Sequence, residues 1–386
     1  MSQEIIDEKV LELIDRSLLE HPDIGYVSLE GRIRLRKELF NAVRRMDVLS
    51  DLLEDDSITE IMINGYDQIF VEKDGRIQSF FQSFESEDRL ASIIQQIVAG
   101  CNRLVNEAVP IVDARLPDGS RVNVVLPPVA LDGPTMTIRK FPKEKMTMER
   151  LIELGALDEE AAGFLKLLVK ARYNIFVSGG TGAGKTTFLN ALSDYIPKTE
   201  RIITIEDSAE LQLRDVENLV RMETRNSNVE GENAITIRDL IKASLRMRPD
   251  RVIVGEVRDS AAIDMLTAMN TGHDGSLSTG HANSAYDMIT RLESMVLMGI
   301  ELPMEAVRRQ IASAVDIIIH LGRLRDGSRK VTEICEVTGI ENGQVQLTSL
   351  YEFEEQAEKG RKTVQGYLKK KAALQNKEKL KRAGLE

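Results

Sequence analysis

The chain has no tryptophan, two cysteines and only 4% aromatic residues across 386 positions. Without aromatics in number there is no platform for stacking nucleic-acid bases and no belt for a membrane interface. Cys101 and Cys335 stand too far apart for a disulfide framework or a zinc site. Cys101 also falls on an apolar helical stripe with Leu90, Ile93, Ile94, Ile97, Val98 and Leu104, as a buried thiol would. No apolar run approaches the roughly 18 residues of a membrane span. Met1-Ser2-Gln3-Glu4 does not open a signal peptide, so a cytoplasmic protein is expected, with membrane contact only through partners. Positive charge is scarce too: 51 basic against 62 acidic residues leave a net charge of −11. That balance argues against a whole-protein nucleic-acid binder, and no nucleic-acid partner is expected.

The charge is unevenly spread. Residues 359–382 hold ten basic side chains and one acid, Glu378. This tail, over 353–386, is read as a solvated helix. A sharper reading is contact with an acidic partner or a membrane surface. At the other end, residues 1–47 read as a helical extension, with Ile6, Val10, Ile14 and Leu18 at helical spacing. From 48 to 143 the pattern predicts a small α+β domain. Strands are expected at 58–64, 68–73, 76–80, 111–116, 120–126 and 135–141, with a helix at 87–105. Asn64-Gly65, Asp74-Gly75 and Asp118-Gly119 mark turns, and residues 141–145 read as a linker. From 146 to 352 strands and helices alternate, as an α/β fold with a mostly parallel sheet requires. Its strands are expected at 174–178, 202–205, 252–254, 276–279 and 315–321, with a β-meander to about residue 350.

The most informative stretch is Gly179-Gly180-Thr181-Gly182-Ala183-Gly184-Lys185-Thr186-Thr187. It fits the phosphate-binding pattern G-x-x-x-x-G-K-[ST]. Glycines let the backbone curl until several N–H groups point at one phosphate. Lys185 would place its charge on the β- and γ-phosphates, and the Thr186 hydroxyl can reach Mg²⁺. A buried strand before the loop and a helix after it supply the right context. ATP and Mg²⁺ are the expected ligands.

Two further strands end in acids. Arg251-Val252-Ile253-Val254-Gly255-Glu256 has the shape of a Walker B strand, with Gly255 where many such proteins carry a metal-holding Asp. Ile203-Thr204-Ile205-Glu206-Asp207 is the second. In a parallel sheet the strand C-termini converge on the ligand crevice. Glu206, Asp207 and Glu256 could therefore share the Mg²⁺ shell and the orientation of an attacking water. Asp207 could instead cap a helix, and the general base could be Glu206 or Glu256. Two of the four histidines, His273 and His281, flank one expected strand in a Gly/Ser/Thr-rich segment that looks like a γ-phosphate sensor. His21 and His320 read as ordinary surface or core residues. Guanidinium groups bridge the equatorial oxygens of a transferring phosphoryl group. Arg115, Arg121, Arg139, Arg246 and Arg248 are the candidates beside a nucleotide cleft.

Taken together, these segments resemble the type II/type IV secretion ATPase superfamily. The nearest likeness is to its CpaF-like branch, the motors of Tad (Flp) pilus assembly. The likeness covers roughly residues 48–350 and rests on ordered segments. These are Asp113-Ala114-Arg115-Leu116-Pro117-Asp118-Gly119-Ser120-Arg121-Val122-Asn123, Leu131-Asp132-Gly133-Pro134 and Thr137-Ile138-Arg139-Lys140-Phe141. The phosphate loop, an aspartate box at 205–210, Val220-Arg221-Met222-Glu223-Thr224-Arg225, Leu245-Arg246-Met247-Arg248-Pro249-Asp250, the Walker B strand and a histidine box continue the series. The resemblance implies a RecA-like domain preceded by a PAS-like α+β domain and assembled as a homohexamer. It implies that Arg115, Arg121 and Arg139 complete the nucleotide site, from the N-terminal domain or a neighbouring subunit. It also implies that the Gly-Glu pair of Walker B is normal, and that hydrolysis drives a rotation passed to an inner-membrane platform protein. Many extension and type II motors carry a four-cysteine metal module that two distant cysteines cannot supply, which leans toward the CpaF branch.

The leading expectation is an ATP-hydrolysing hexameric motor for pilus assembly or secretion, peripheral at the inner membrane. A RecA-like nucleic-acid translocase would share the core but lacks the basic, aromatic surface. A nucleotide-regulated scaffold with negligible turnover is the third reading. The retained Lys185, Glu206, Glu256 and histidine pair argue against it.

Overall fold

The structure is a computed structural model. It describes residues 3–20, 27–44, 46–73, 75–101, 103–141, 146–213, 216–225, 233–356 and 364–385. His21, Asp74, linker residues 142–145 and the tail residues Lys359, Arg361 and Lys362 lie outside the described residues. The chain forms two compact units, Met1–Lys143 and Glu144–Glu386.

The first unit begins with helices α1 (Gln3–Glu20), α2 (Leu29–Arg44) and α3 (Val48–Glu54). α3 stands where the sequence pattern turned toward strands. Asp47 caps it, accepting a hydrogen bond from the Val48 N–H, and Leu49 and Leu52 bury its inner face. Strands β1 (Ile58–Asn64), β2 (Ile69–Lys73) and β3 (Arg76–Ser79) follow. Helix α4 (Glu87–Gly100) comes next, then β4 (Ile111–Arg115), β5 (Arg121–Val125) and β6 (Thr135–Arg139). The six strands pair antiparallel in the order β3-β2-β1-β6-β5-β4. Period-two alternation puts Ile61, Ile63, Val122, Val124, Met136 and Ile138 on the core face with α3 and α4. The other face mixes polar side chains such as Asn123 and Thr137 with half-buried Met62 and Phe70.

The second unit opens with α5 (Met148–Glu153) and α6 (Glu159–Lys170). It continues through β7 (Ile175–Gly179), α7 (Lys185–Ser193), β8 (Ile202–Glu206), β9 (Leu219–Glu223), α8 (Ile237–Ser244) and β10 (Arg251–Val254). Then come α9 (Ala261–Asn270), β11 (Leu277–His281), α10 (Ala285–Gly299), α11 (Met304–Ala314) and β12 (Ile317–Arg323). β13 (Arg329–Glu341), β14 (Gln344–Glu355), β15 (Gly366–Lys370) and α12 (Glu378–Arg382) complete it. One nine-stranded sheet runs β15-β14-β13-β12-β7-β11-β10-β8-β9. From β12 to β9 every pairing is parallel, and β13 to β15 add antiparallel strands at the β12 side. Both faces of the parallel part are covered, so β7, β8 and β10 are buried along their whole length. Ile175 and Val177 point into one core with α5, α6 and α7, while Phe176 points into the other with α9, α10 and α11.

The tail corrects an expectation: it is not a solvated helix. β14 runs to Glu355, β15 pairs with it, and the short α12 is the only helix described there. Leu368 and Leu374 are buried in the core of the unit. The basic side chains meet acids of the same chain. Lys369 pairs with Glu354 at 3.0 Å, Lys371 with Glu352 at 3.2 Å, and Lys379 with Asp316 and Asp274 at 2.6 and 2.8 Å.

Candidate active site

The phosphate loop connects β7 to α7 at the C-terminal edge of the parallel sheet. Gly182 and Gly184 have φ of 70° and 91°, a region that costs any residue with a Cβ. A Cβ at Gly179 would lie 2.6 Å from the Leu321 carbonyl of β12, so the loop can start only on glycine. Lys185 opens α7 and is buried. Its ammonium donates to the Gly180 carbonyl at 3.0 Å and to His281 Nδ1 at 3.2 Å. Burial lowers the Lys185 pKa, and the carboxylate of Glu256 partly opposes that.

Register explains why His281 is there. β11 lies between β7 and β10, and His281 pairs with Gly179 at the edge where both strands end. Because Nδ1 accepts from Lys185, the ring proton sits on Nε2. Nε2 lies 3.0 Å from Glu256 Oε1, although that oxygen, itself buried, forms no hydrogen bond. Burial and the neighbouring cations Lys185 and Arg258 lower the His281 pKa more than Glu256 raises it, keeping the ring neutral at pH 7. Lys185 is therefore hydrogen-bonded to one side of the His281 ring, and Glu256 stands close to the other.

Glu256 follows β10 and Glu206 ends β8, its parallel neighbour. The two carboxylates sit in different environments. Glu256 Oε2 accepts from Arg258 at 2.9 Å, and Arg258 reaches Asp207 Oδ2 at 3.7 Å. Glu206 is 3% exposed; its Oε1 accepts the backbone N–H groups of Glu210 and Leu211 at 2.8 and 3.0 Å. Burial nevertheless pushes its pKa up to about 7. Its Oε2 is buried and has no hydrogen-bond partner. The glycine before Glu256 now has a physical reason: a Cβ on Gly255 would lie 2.9 Å from Glu206 Cγ. The Glu206 side chain occupies the space that a Walker B aspartate would need.

Other expected residues are placed differently. His273 precedes β11, at the opposite end of that strand from His281, and its Nδ1 lies 3.2 Å from the Ala268 carbonyl. Arg246, exposed, lies between α8 and the start of β10, again at the far edge from the loop. Within this unit neither reaches the phosphate loop. Thr186 lies in the first turn of α7, and Asp207, partly exposed, stands beside Arg258. In the first unit Arg115, Arg121 and Arg139 stand in register on three adjacent strands. They share the face of that sheet opposite its core. Arg115 Nε–H also donates to the Gly119 carbonyl at 3.2 Å, across the turn between β4 and β5. Arg258 escaped the sequence reading. Its signal was a cation two residues past the Walker B glutamate, where it can hold two acids at once.

A phosphate loop at the C-terminal edge of a doubly covered parallel sheet, with acids ending two neighbouring strands, defines a RecA-like P-loop nucleotide-binding domain. The chain belongs to the Type II/IV secretion system protein family, whose profile matches residues 44–382. A putative conjugal transfer protein of Mycobacterium tuberculosis is 35% identical over 310 residues, covering 79% of this chain and 87% of that protein. The type IV secretion system protein VirB11 of Bartonella quintana is 31% identical over 327 residues, covering 75% and 91%. The pilus retraction motor PilT, solved with bound ADP, shares the fold at a TM-score of 0.54 and 23% identity, over 79% of this chain and 81% of PilT. Among the described residues no helix is long and apolar enough to cross a membrane.

Proposed function

We propose that this chain is the Mg²⁺-dependent, ATP-hydrolysing subunit of a hexameric motor for Tad-like pilus assembly or type II/IV secretion, working at the cytoplasmic face of the inner membrane. The carrying observation is His281 standing between Lys185 and Glu256. A phosphate-loop lysine alone marks phosphate binding. Here the lysine shares one imidazole with a nearby acid, which places a carboxylate close enough to act on the phosphate the lysine would hold.

The loop from Gly179 through Thr187, including Thr181 and Ala183, cradles the phosphates with its backbone N–H groups and with α7 behind them. Thr186, Asp207 and Glu256 would hold Mg²⁺, which supplies charge neutralisation on the β- and γ-oxygens. The fit rests on chemistry: these are hard oxygen donors, and two buried carboxylate oxygens nearby lack hydrogen bonds. Glu206 is the better general base. Its pKa of about 7 suits proton transfer near neutral pH, and its second oxygen has no partner to displace. Glu256, paired with Arg258, serves as a fixed negative charge, and neutral His281 reports the γ-phosphate to it. Arg115, Arg121 and Arg139 are the cations proposed for the transferring phosphoryl group. An inner-membrane platform protein receives the resulting motion. The names of the relatives support a conjugal-transfer or secretion setting, and the missing four-cysteine module supports the CpaF-like branch.

The test is steady-state hydrolysis by purified protein. Activity is expected to need Mg²⁺ and to vanish with EDTA. Glu256→Gln should retain ADP binding and lose about 100-fold or more in kcat. Hydrolysis by Glu256→Gln at the wild-type rate would end the assignment.

A further inference from the structure

Arg329 lies 144 positions past the Lys185 phosphate-loop lysine, on a different supersecondary unit, yet it touches the loop. It begins β13, and its Nε–H donates to the Gly182 carbonyl at 2.8 Å. The ideal Cβ position of Gly184 lies 3.5 Å from Arg329 Cδ, so the side chain lies along two successive glycines of the loop. The contact is built in by the sheet: β12 pairs with β7 through Leu321 and Gly179, and the β12–β13 hairpin therefore flanks the loop.

The hairpin is itself tied down. Leu324 N–H donates to the Ser328 carbonyl at 2.8 Å, and Asp326 accepts from the Ser328 N–H at 3.0 Å. Asp326 also accepts the Val364 N–H at 2.6 Å, and Arg325 pairs with Glu355. The C-terminal strands thus hold the hairpin, and the hairpin holds the loop.

We propose that Arg329 is a positioning residue for nucleotide phosphate, holding the phosphate loop in its receptive shape from within the same chain. The inference rests on the nucleotide-binding reading above. A peptide group is planar, so the Gly182 carbonyl and the Ala183 N–H point in opposite directions. Fixing the carbonyl on Arg329 fixes where the N–H of Ala183 points. A loop with glycines at 179, 180, 182 and 184 loses much conformational freedom on binding unless it is ordered beforehand. Two cations order it here. Lys185 must leave the Gly180 carbonyl to meet a phosphate. Among the described residues the Arg329 side chain makes no other hydrogen bond, so it can hold the loop before and after binding.

The experiment is calorimetric titration of Mg²⁺-ADP into full-length wild type, Arg329→Ala, Arg329→Gln and Arg329→Lys, with the melting temperature of each nucleotide-free protein. Arg329 is exposed at a strand start, so these variants empty no core. Loss of a hydrogen bond from a charged donor should weaken ADP binding about tenfold in Arg329→Ala. Lys, which can still donate to the carbonyl, should recover part of the loss, with melting within about 2 °C of wild type. In turnover the deficit should sit in KM rather than kcat. ADP affinity within twofold of wild type in both Ala and Gln variants overturns the inference, as does a fall in melting temperature with unchanged affinity. Wild-type protein that binds no ADP would overturn the nucleotide reading as well.

Discussion

At the residue scale, the site separates two acids that the sequence left equivalent. Glu206 is buried and raised from its ordinary 4.5 to about 7; Glu256 is held by Arg258. Two outcomes follow. First, kcat/KM for ATP should rise with pH through a limb near 7, and that limb should be missing from the residual activity of Glu206→Gln. Stability carries the matching signature. A raised carboxyl pKa favours the protonated form in the fold, so its stabilisation is complete below pH 4.5 and is lost as pH rises to about 7. Glu206→Gln, which cannot ionise, should therefore gain stability relative to wild type across that window and show no further gain above it. Urea unfolding at pH 5 and pH 8 measures this directly. Second, Gly255→Ala should act on chemistry. Its Cβ meets Glu206 Cγ at 2.9 Å and must displace it, so kcat should fall about 100-fold while ADP binding stays within a few fold.

At the element scale, function comes from strand order. Parallel pairing of β7, β11 and β10 brings the phosphate loop, His281 and Glu256 to one edge and leaves His273 and Arg246 at the other. The strand, loop and helix at 175–193 were legible because their signals are local: a buried apolar run, glycines, then a helix start. The antiparallel strands of the first unit were legible from alternation and Gly turns. The reach of Arg329 was not, because it depends on which strand neighbours β7. The tail misled for the same reason. Ten basic residues over a polar stretch suggest solvent, yet Leu368 and Leu374 are buried, and the acids that meet Lys379, Asp316 and Asp274, lie far back in the chain. This gives a test. Lys379 is largely buried between Asp316 and Asp274, and removing it leaves Asp316 uncompensated. Lys379→Ala should cost roughly 2 kcal/mol and lower the melting temperature by about 5 °C. An unchanged melting temperature would mean the tail is not bound as described.

At the scale of the whole molecule, the chain is an acidic two-unit protein of a secretion family, with its described tail lysines largely neutralised internally. The proposed hexamer is the reading with the widest consequence for the whole chain. The most direct measurement is Mg²⁺-ATPase activity across a protein concentration series, with molar mass by light scattering on the same samples. The account predicts a specific activity that climbs steeply as the mass approaches six subunits. Hydrolysis by a monomer at the same specific rate at every dilution would contradict it.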